Sequence, residues 1–133
     1  MKEKSTSNRG TEPTKSELEI LQVLWQHGPS TVRFVNDTLN EEKREVQYSS
    51  TLKLMQIMHD KGLLLRDDSS MKHVYRPAVE EQKTKSQLLD RMIDTMFNGS
   101  RSNLVLQLLG NKKTSKKELQ EIKEFLRKLD EGK

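Results

Sequence analysis

Residues 47–66, QYSSTLKLMQIMHDKGLLLR, decide how this chain folds. On a helical wheel at about 100° per residue, Thr51, Leu54, Met55 and Met58 fall within about 60° of one direction, with Tyr48 at the margin. That spacing predicts a helix with one buried face, in which the methionines fill the core. Lys61-Gly62 ends it, and Leu63 to Arg66 continues as a strand. The opposite side of the helix carries Ser49, Lys53, Gln56 and Asp60, flanked by Ser50 and Ile57. It is short-chained, polar and almost uncharged.

Upstream, Thr14 and Glu17 form a capping box. It opens a helix with Leu18, Leu21, Gln22 and Trp25 on one face and Ile20, Val23 and Leu24 beside them. A helix apolar on most sides is central. It stops at His27-Gly28-Pro29, where Gly accommodates the turn, Pro cannot continue the helix and His27 reads as a cap. A second helix follows Ser30-Thr31 and carries Val32, Val35 and Leu39 at helical spacing. The run from Asn40 to Glu45 reads as a charged, solvated connector. Downstream of the quoted stretch, Asp67-Asp68-Ser69-Ser70 is turn material and Met71 to Arg76 a second strand, closed by Pro77. Three helices and then a hairpin make the order of a winged helix-turn-helix over residues 14–79. The expected fold class is α+β, mostly α. Residues 1–13 have no apolar core, so they are no signal peptide and read as a flexible tail.

Beyond Pro77 the character changes. Leu88, Leu89, Met92, Ile93, Met96 and Phe97 lie on two adjacent i,i+4 rows, a broad stripe on one helix. Asn98-Gly99 breaks it. Ser100 caps a short apolar helix containing Leu104 and Leu108, which Gly110-Asn111 stops. A second capping box, Ser115 and Glu118, opens a helix with a heptad-like seam of Leu119, Ile122, Leu126 and Leu129. Three amphipathic helices in so short a segment cannot easily bury all these stripes alone. A twofold partner with the same stripes would bury them, so residues 80–131 are expected to be a dimerisation domain.

With 133 residues, the chain has room for one domain or two very small ones. It contains no cysteine, which removes disulfides, thiolate metal sites and cysteine nucleophiles and fits a reducing compartment. No apolar run approaches the roughly 18 residues of a membrane span, and the cytoplasm follows as the default. His27, His59 and His73 sit on different elements without metal-ligand spacing. There is no Gly-rich phosphate loop and no serine-nucleophile motif, so neither an enzyme nor a cofactor or metal is expected. The net charge is +4: 12 Lys/Arg stand against 11 Asp/Glu through Val79, and 12 against 9 after it. Charge alone therefore makes no case for nucleic acid; the placement of side chains must make it.

In a helix-turn-helix, the outward face of the later helix enters the major groove. Small Ser49 and Ser50 side chains let the helix axis approach the base pairs. Gln56 donates and accepts at an adenine edge, and Lys53 reaches guanine acceptors or a phosphate. These four are the base-reading candidates. Lys15, Thr31, Arg33, Lys72 and His73 are candidates for the DNA backbone, and Tyr48 for a contact at the helix start. Asp67 and Asp68 in the hairpin turn predict few phosphate contacts there and a modest salt dependence. Two other readings stand beside this one. A winged-helix module for protein contacts without DNA is supported by the near-neutral charge of residues 1–79. A repressor released by a small ligand between its domains is the other.

Beyond pattern, the chain resembles the penicillinase-repressor family of bacterial transcription regulators. TKSELEILQVLW, QYSSTLKLMQIMHDKGLLLRD, KHVYRP and SNLVLQLL carry the resemblance, in that order and spacing, from Thr14 to Leu129. The resemblance implies a homodimer with an N-terminal winged helix and a C-terminal helical dimerisation domain. It further implies a palindromic operator on double-stranded DNA and repression of resistance or sensor genes. In β-lactam-responsive members, a membrane sensor-protease pathway leads to cleavage of an Asn-Phe bond in the C-terminal domain. The matching bond here is Gln107-Leu108. Copper-responsive relatives carry cysteine pairs near the C-terminus, and this chain has none. Positions often basic in relatives hold Leu52 and Ile57 here, so no operator sequence is carried over.

Overall fold

The computed structural model describes residues 12–131. Most of the expected tail, residues 1–11, lies outside the described residues; Glu12 and Pro13 are half-buried. The order of elements is α1 (Lys15–His27), β1 (Ser30–Thr31), α2 (Val32–Glu42), α3 (Tyr48–Asp60), β2 (Leu64–Asp67), β3 (Val74–Pro77), α4 (Glu81–Phe97), α5 (Arg101–Leu109) and α6 (Lys116–Glu131). The chain divides into two compact units, one running through Lys85 and the other from Ser86 onward. The boundary falls inside α4.

In the first unit, α1 begins with the predicted capping box. Thr14 Oγ1 accepts from Glu17 N at 3.2 Å, and Thr14 N donates to Glu17 Oε1 at 2.9 Å. Ile20, Leu21, Val23 and Leu24 are all buried, so this helix is central. At its end Gly28 takes φ +84°, which a side chain would strain. His27 is the last residue of the helix, where it was expected, and sets its ring edge-on to Phe34 with centroids 5.2 Å apart. Val32, Val35 and Leu39 of α2, and Thr51, Met55 and Met58 of α3, close the core from the other side. Tyr75 from β3 completes it.

The sheet is antiparallel, in the order β1-β3-β2. Ser30 pairs with Tyr75, and Leu64 with Pro77 through to Asp67 with Val74. The hairpin is as expected, but its second strand starts at Val74 rather than Met71. The four-pair register leaves residues 68–73 as the loop of the wing. The charged connector is also shorter than expected. Helix α2 runs on to Glu42, because Asn40 serves as a helical anchor for the turn that follows. A mostly helical winged helix-turn-helix results, as the sequence predicts.

In the second unit, α4 ends where Asn98 (φ +50°) and Gly99 (φ +79°) turn left-handed and Gly99 N donates to Ile93 O at 3.0 Å. Ser100 then caps α5, accepting from Asn103 N at 3.1 Å. Ser115 and Glu118 exchange hydrogen bonds at 3.1 Å each at the start of α6, as the capping box predicts. Ile93 is the buried apolar residue of this unit among the described residues. Helices α5 and α6 contain no buried residue.

Candidate nucleic-acid interface

The helix that would read bases is held from behind by a polar clasp. The turn between α2 and α3 packs Val46 against the core and has its backbone fixed by side chains. Asn36 Nδ2 donates to Val46 O at 3.1 Å and to Thr51 Oγ1 at 2.8 Å. Asn40 Nδ2 donates to Val46 O at 2.9 Å, and Val46 N donates to Asn40 Oδ1 at 3.1 Å. Two asparagines one helical turn apart thus satisfy both backbone groups of Val46 and tie the turn to the buried face of α3. At the other end, the buried carboxylate of Glu17 receives Lys61 Nζ at 2.8 and 3.0 Å. The start of α1 is thereby joined to the residue that follows α3.

So held, α3 turns Ser49, Ser50, Lys53, Gln56, Ile57 and Asp60 to solvent. All four base-reading candidates lie on this free surface. Gln47, at the cap position just before α3, makes no side-chain cap hydrogen bond, whereas α2 is capped by Thr31, whose Oγ1 accepts from Phe34 N at 3.2 Å.

Beside α3 lies a cleft of about 410 Å³ lined by Thr31, Val32, Arg33, Tyr48, Leu52, Met71, Lys72, His73 and Tyr75. The first residues of α2 and α3 form one wall and the wing the other. Four of the five backbone candidates, Thr31, Arg33, Lys72 and His73, converge here with Tyr48. The Arg33 guanidinium stacks over the Tyr48 ring at 4.2 Å, a cation–π contact that parks a positive charge at the start of α3. Lys15 is not among them. It is the first residue of α1, two positions from the Glu17 that binds Lys61 beyond the far end of α3. Leu52 and Met71 line the cleft without having been singled out as contacts. Leu52 is half-buried against the core, but Met71 is fully exposed at the wing loop.

The two wing carboxylates are engaged within the wing. Asp67 Oδ1 accepts from Ser69 N at 2.9 Å. The backbone and then the side chain of Ser69 hold the Asp67 carboxyl below the usual carboxylate range. Asp68 Oδ1 lies 2.8 Å from Arg66 Nε and 3.6 Å from His73 Nε2. The Arg66 contact is an ion pair without hydrogen-bond alignment, since Nε–H finds no acceptor in line. The Tyr75 hydroxyl first, and Asp68 second, hold the Arg66 guanidinium above its ordinary value. Asp68 therefore opposes an incoming phosphate less than its formal charge implies, because Arg66 lies against it, whereas the Ser69 hydrogen bonds keep Asp67 ionised.

In the second unit the apolar stripes remain largely open. Leu89, Met96, Leu108, Leu126 and Leu129 are exposed, Met96 by 68% and Leu126 by 53%. Leu88, Met92, Phe97, Leu104, Leu119 and Ile122 are half-buried. The bond Gln107-Leu108 lies within α5, with both residues exposed. Among the described residues there is no cluster of three or more His, Cys, Asp or Glu placed to hold a metal ion. No described helix is long and apolar enough to cross a membrane.

Comparison with known proteins agrees with this arrangement. The chain is 25% identical over 113 residues to the penicillinase repressor of Bacillus licheniformis, an alignment covering 84% of this chain and 86% of that one. The family model described as penicillinase repressor matches residues 13–128, from just before the α1 capping box into α6. The chain belongs to the penicillinase repressor family, a family of transcriptional repressors.

Proposed function

We propose that the protein represses transcription as a homodimer bound to a palindromic operator on double-stranded DNA. The observation that carries the reading is the exposed polar face of α3, braced from behind and flanked by a cleft where Arg33, Lys72 and His73 meet. Ser49, Ser50, Lys53 and Gln56 read base edges in the major groove. Thr31, Arg33, Tyr48, Lys72 and His73 hold the flanking backbone, and Lys15 is a more distant backbone contact. The two copies of α3 meet successive major grooves, with half-sites about one helical turn apart.

The stripes of residues 80–131 pair the two chains. Affinity then depends on both half-sites at once, so anything that cuts or loosens this segment weakens binding through the lost linkage. The Gln107-Leu108 bond is the candidate cut for a membrane sensor-protease pathway. It lies on a short helix without a buried residue, the kind of element that opens locally at low cost. A soluble protein acting in the cytoplasm fits this role.

A salt titration of duplex binding, followed by fluorescence anisotropy, tests the reading. Affinity should fall steadily as salt rises. Lys53→Ala should cost about 1–3 kcal/mol on the operator and little on random duplex. Equal losses on both would reassign Lys53 to phosphate contact. A duplex affinity indifferent to salt would favour a protein-binding winged helix instead.

A further inference from the structure

Ile57 is the one large apolar side chain on the outward arc of α3, and it is 41% exposed. It lies in a row with Ser50 and Lys53, at i, i+3 and i+7, both exposed. Tyr48 and Leu52, which line the cleft against the wing, are on the other flank of the same helix. The row is therefore the flank of the reading face turned away from the wing. A single exposed isoleucine is ordinary on a solvated helix. This one stands among side chains that can form hydrogen bonds, on a helix where isoleucine gains nothing from propensity. In the major groove one base presents an apolar group, the C5-methyl of thymine.

We propose that Ile57 is a specificity-determining residue that selects thymine at one position of each half-site by packing against its C5-methyl group. The inference rests on the DNA-binding reading above and deepens it. Ser50 and Lys53 keep their polar contacts on the same flank, while Ile57 contributes contact with a single methyl group. Burying one methyl corresponds to roughly 0.8 kcal/mol, or about four-fold in affinity.

The test uses the full chain and Ile57→Ala, a substitution at an exposed helical position that should leave the thermal midpoint unchanged. Each protein selects bound duplexes from a random pool. The wild-type pool should show one half-site position fixed as thymine, and Ile57→Ala should lose the preference there alone. Replacing that thymine with deoxyuridine removes the methyl and nothing else. The wild type should then weaken about three- to five-fold and Ile57→Ala by less than about two-fold. Equal weakening of both proteins, or the same selected motif from both, would overturn the assignment. If duplex affinity still falls with salt in that case, the DNA-binding reading survives and only the Ile57 role is lost. Absence of salt-dependent duplex binding by either protein would remove both.

Discussion

Asn36 shows how much of the candidate interface rests on groups that never reach its surface. It is buried, and its amide holds Val46 O and Thr51 Oγ1 together. Asn36→Ala would leave the buried Thr51 hydroxyl without its amide partner and Val46 O held by Asn40 alone, at a cost of about 1–3 kcal/mol in chemical denaturation. Operator affinity should fall with it, because the start of α3 loses its brace. Nothing in the sequence marks Asn36 for this work; a polar residue on an amphipathic helix reads as surface, and its partners are 10 and 15 positions away. The serine-lysine-glutamine face needed no such distant knowledge. It follows from periodicity within a single helix, which is why it was readable residue by residue. Asp67 gives a pH prediction at the same scale. Its carboxyl titrates lower in the folded wing than in an unfolded chain, so its contribution is present above the unfolded value and lost as pH falls through the folded one. In a carboxyl NMR titration Asp67 should protonate below the usual aspartate range. The Ser69 amide should shift in step with it.

Among elements, the helices were legible and the sheet only partly so. Capping boxes at Thr14 and Ser115 and the breaks at Gly28 and Asn98-Gly99 are local signals, and the helices begin and end at them. Strand β1 has two residues and exists because β3 passes beside it, a non-local event without a local pattern. Met71 to His73 alternate like a strand, but the register of β2 on β3 closes before them. The convergence of Thr31, Arg33, Tyr48, Lys72 and His73 on one cleft is likewise a product of packing, since they come from three separated segments. The Glu17–Lys61 contact joins elements as well, because one carboxylate caps α1 and anchors the residue after α3. Glu17→Ala should therefore cost about 1–2 kcal/mol in thermal or chemical unfolding, with the cap alone accounting for about half.

Over the whole molecule, the contrast between the two units is one of closure. The first surrounds a continuous core from Ile20 to Tyr75, whereas the second buries Ile93 and leaves Met96, Leu126 and Leu129 open. The number of stripes set against the length of chain available to cover them is what leads from the sequence to the expectation of a dimer. On the proposed dimer, Leu126→Lys together with Leu129→Lys in the full chain should raise the dimer dissociation constant by at least about ten-fold, since two buried leucines contribute more than 1.4 kcal/mol. Sedimentation velocity over a dilution series measures this. Binding to a duplex with two half-sites should drop toward that of a single half-site.

Trp25 is the only tryptophan in the chain, and its indole Nε1–H donates to Val79 O at 3.1 Å while Lys85 Nζ sits 5.7 Å from its ring centre. That places the sole strong fluorophore on the strap that leads from wing to α4. Its emission colour and quenching by Lys85 accordingly report, without any label, whether that strap is seated or has peeled away.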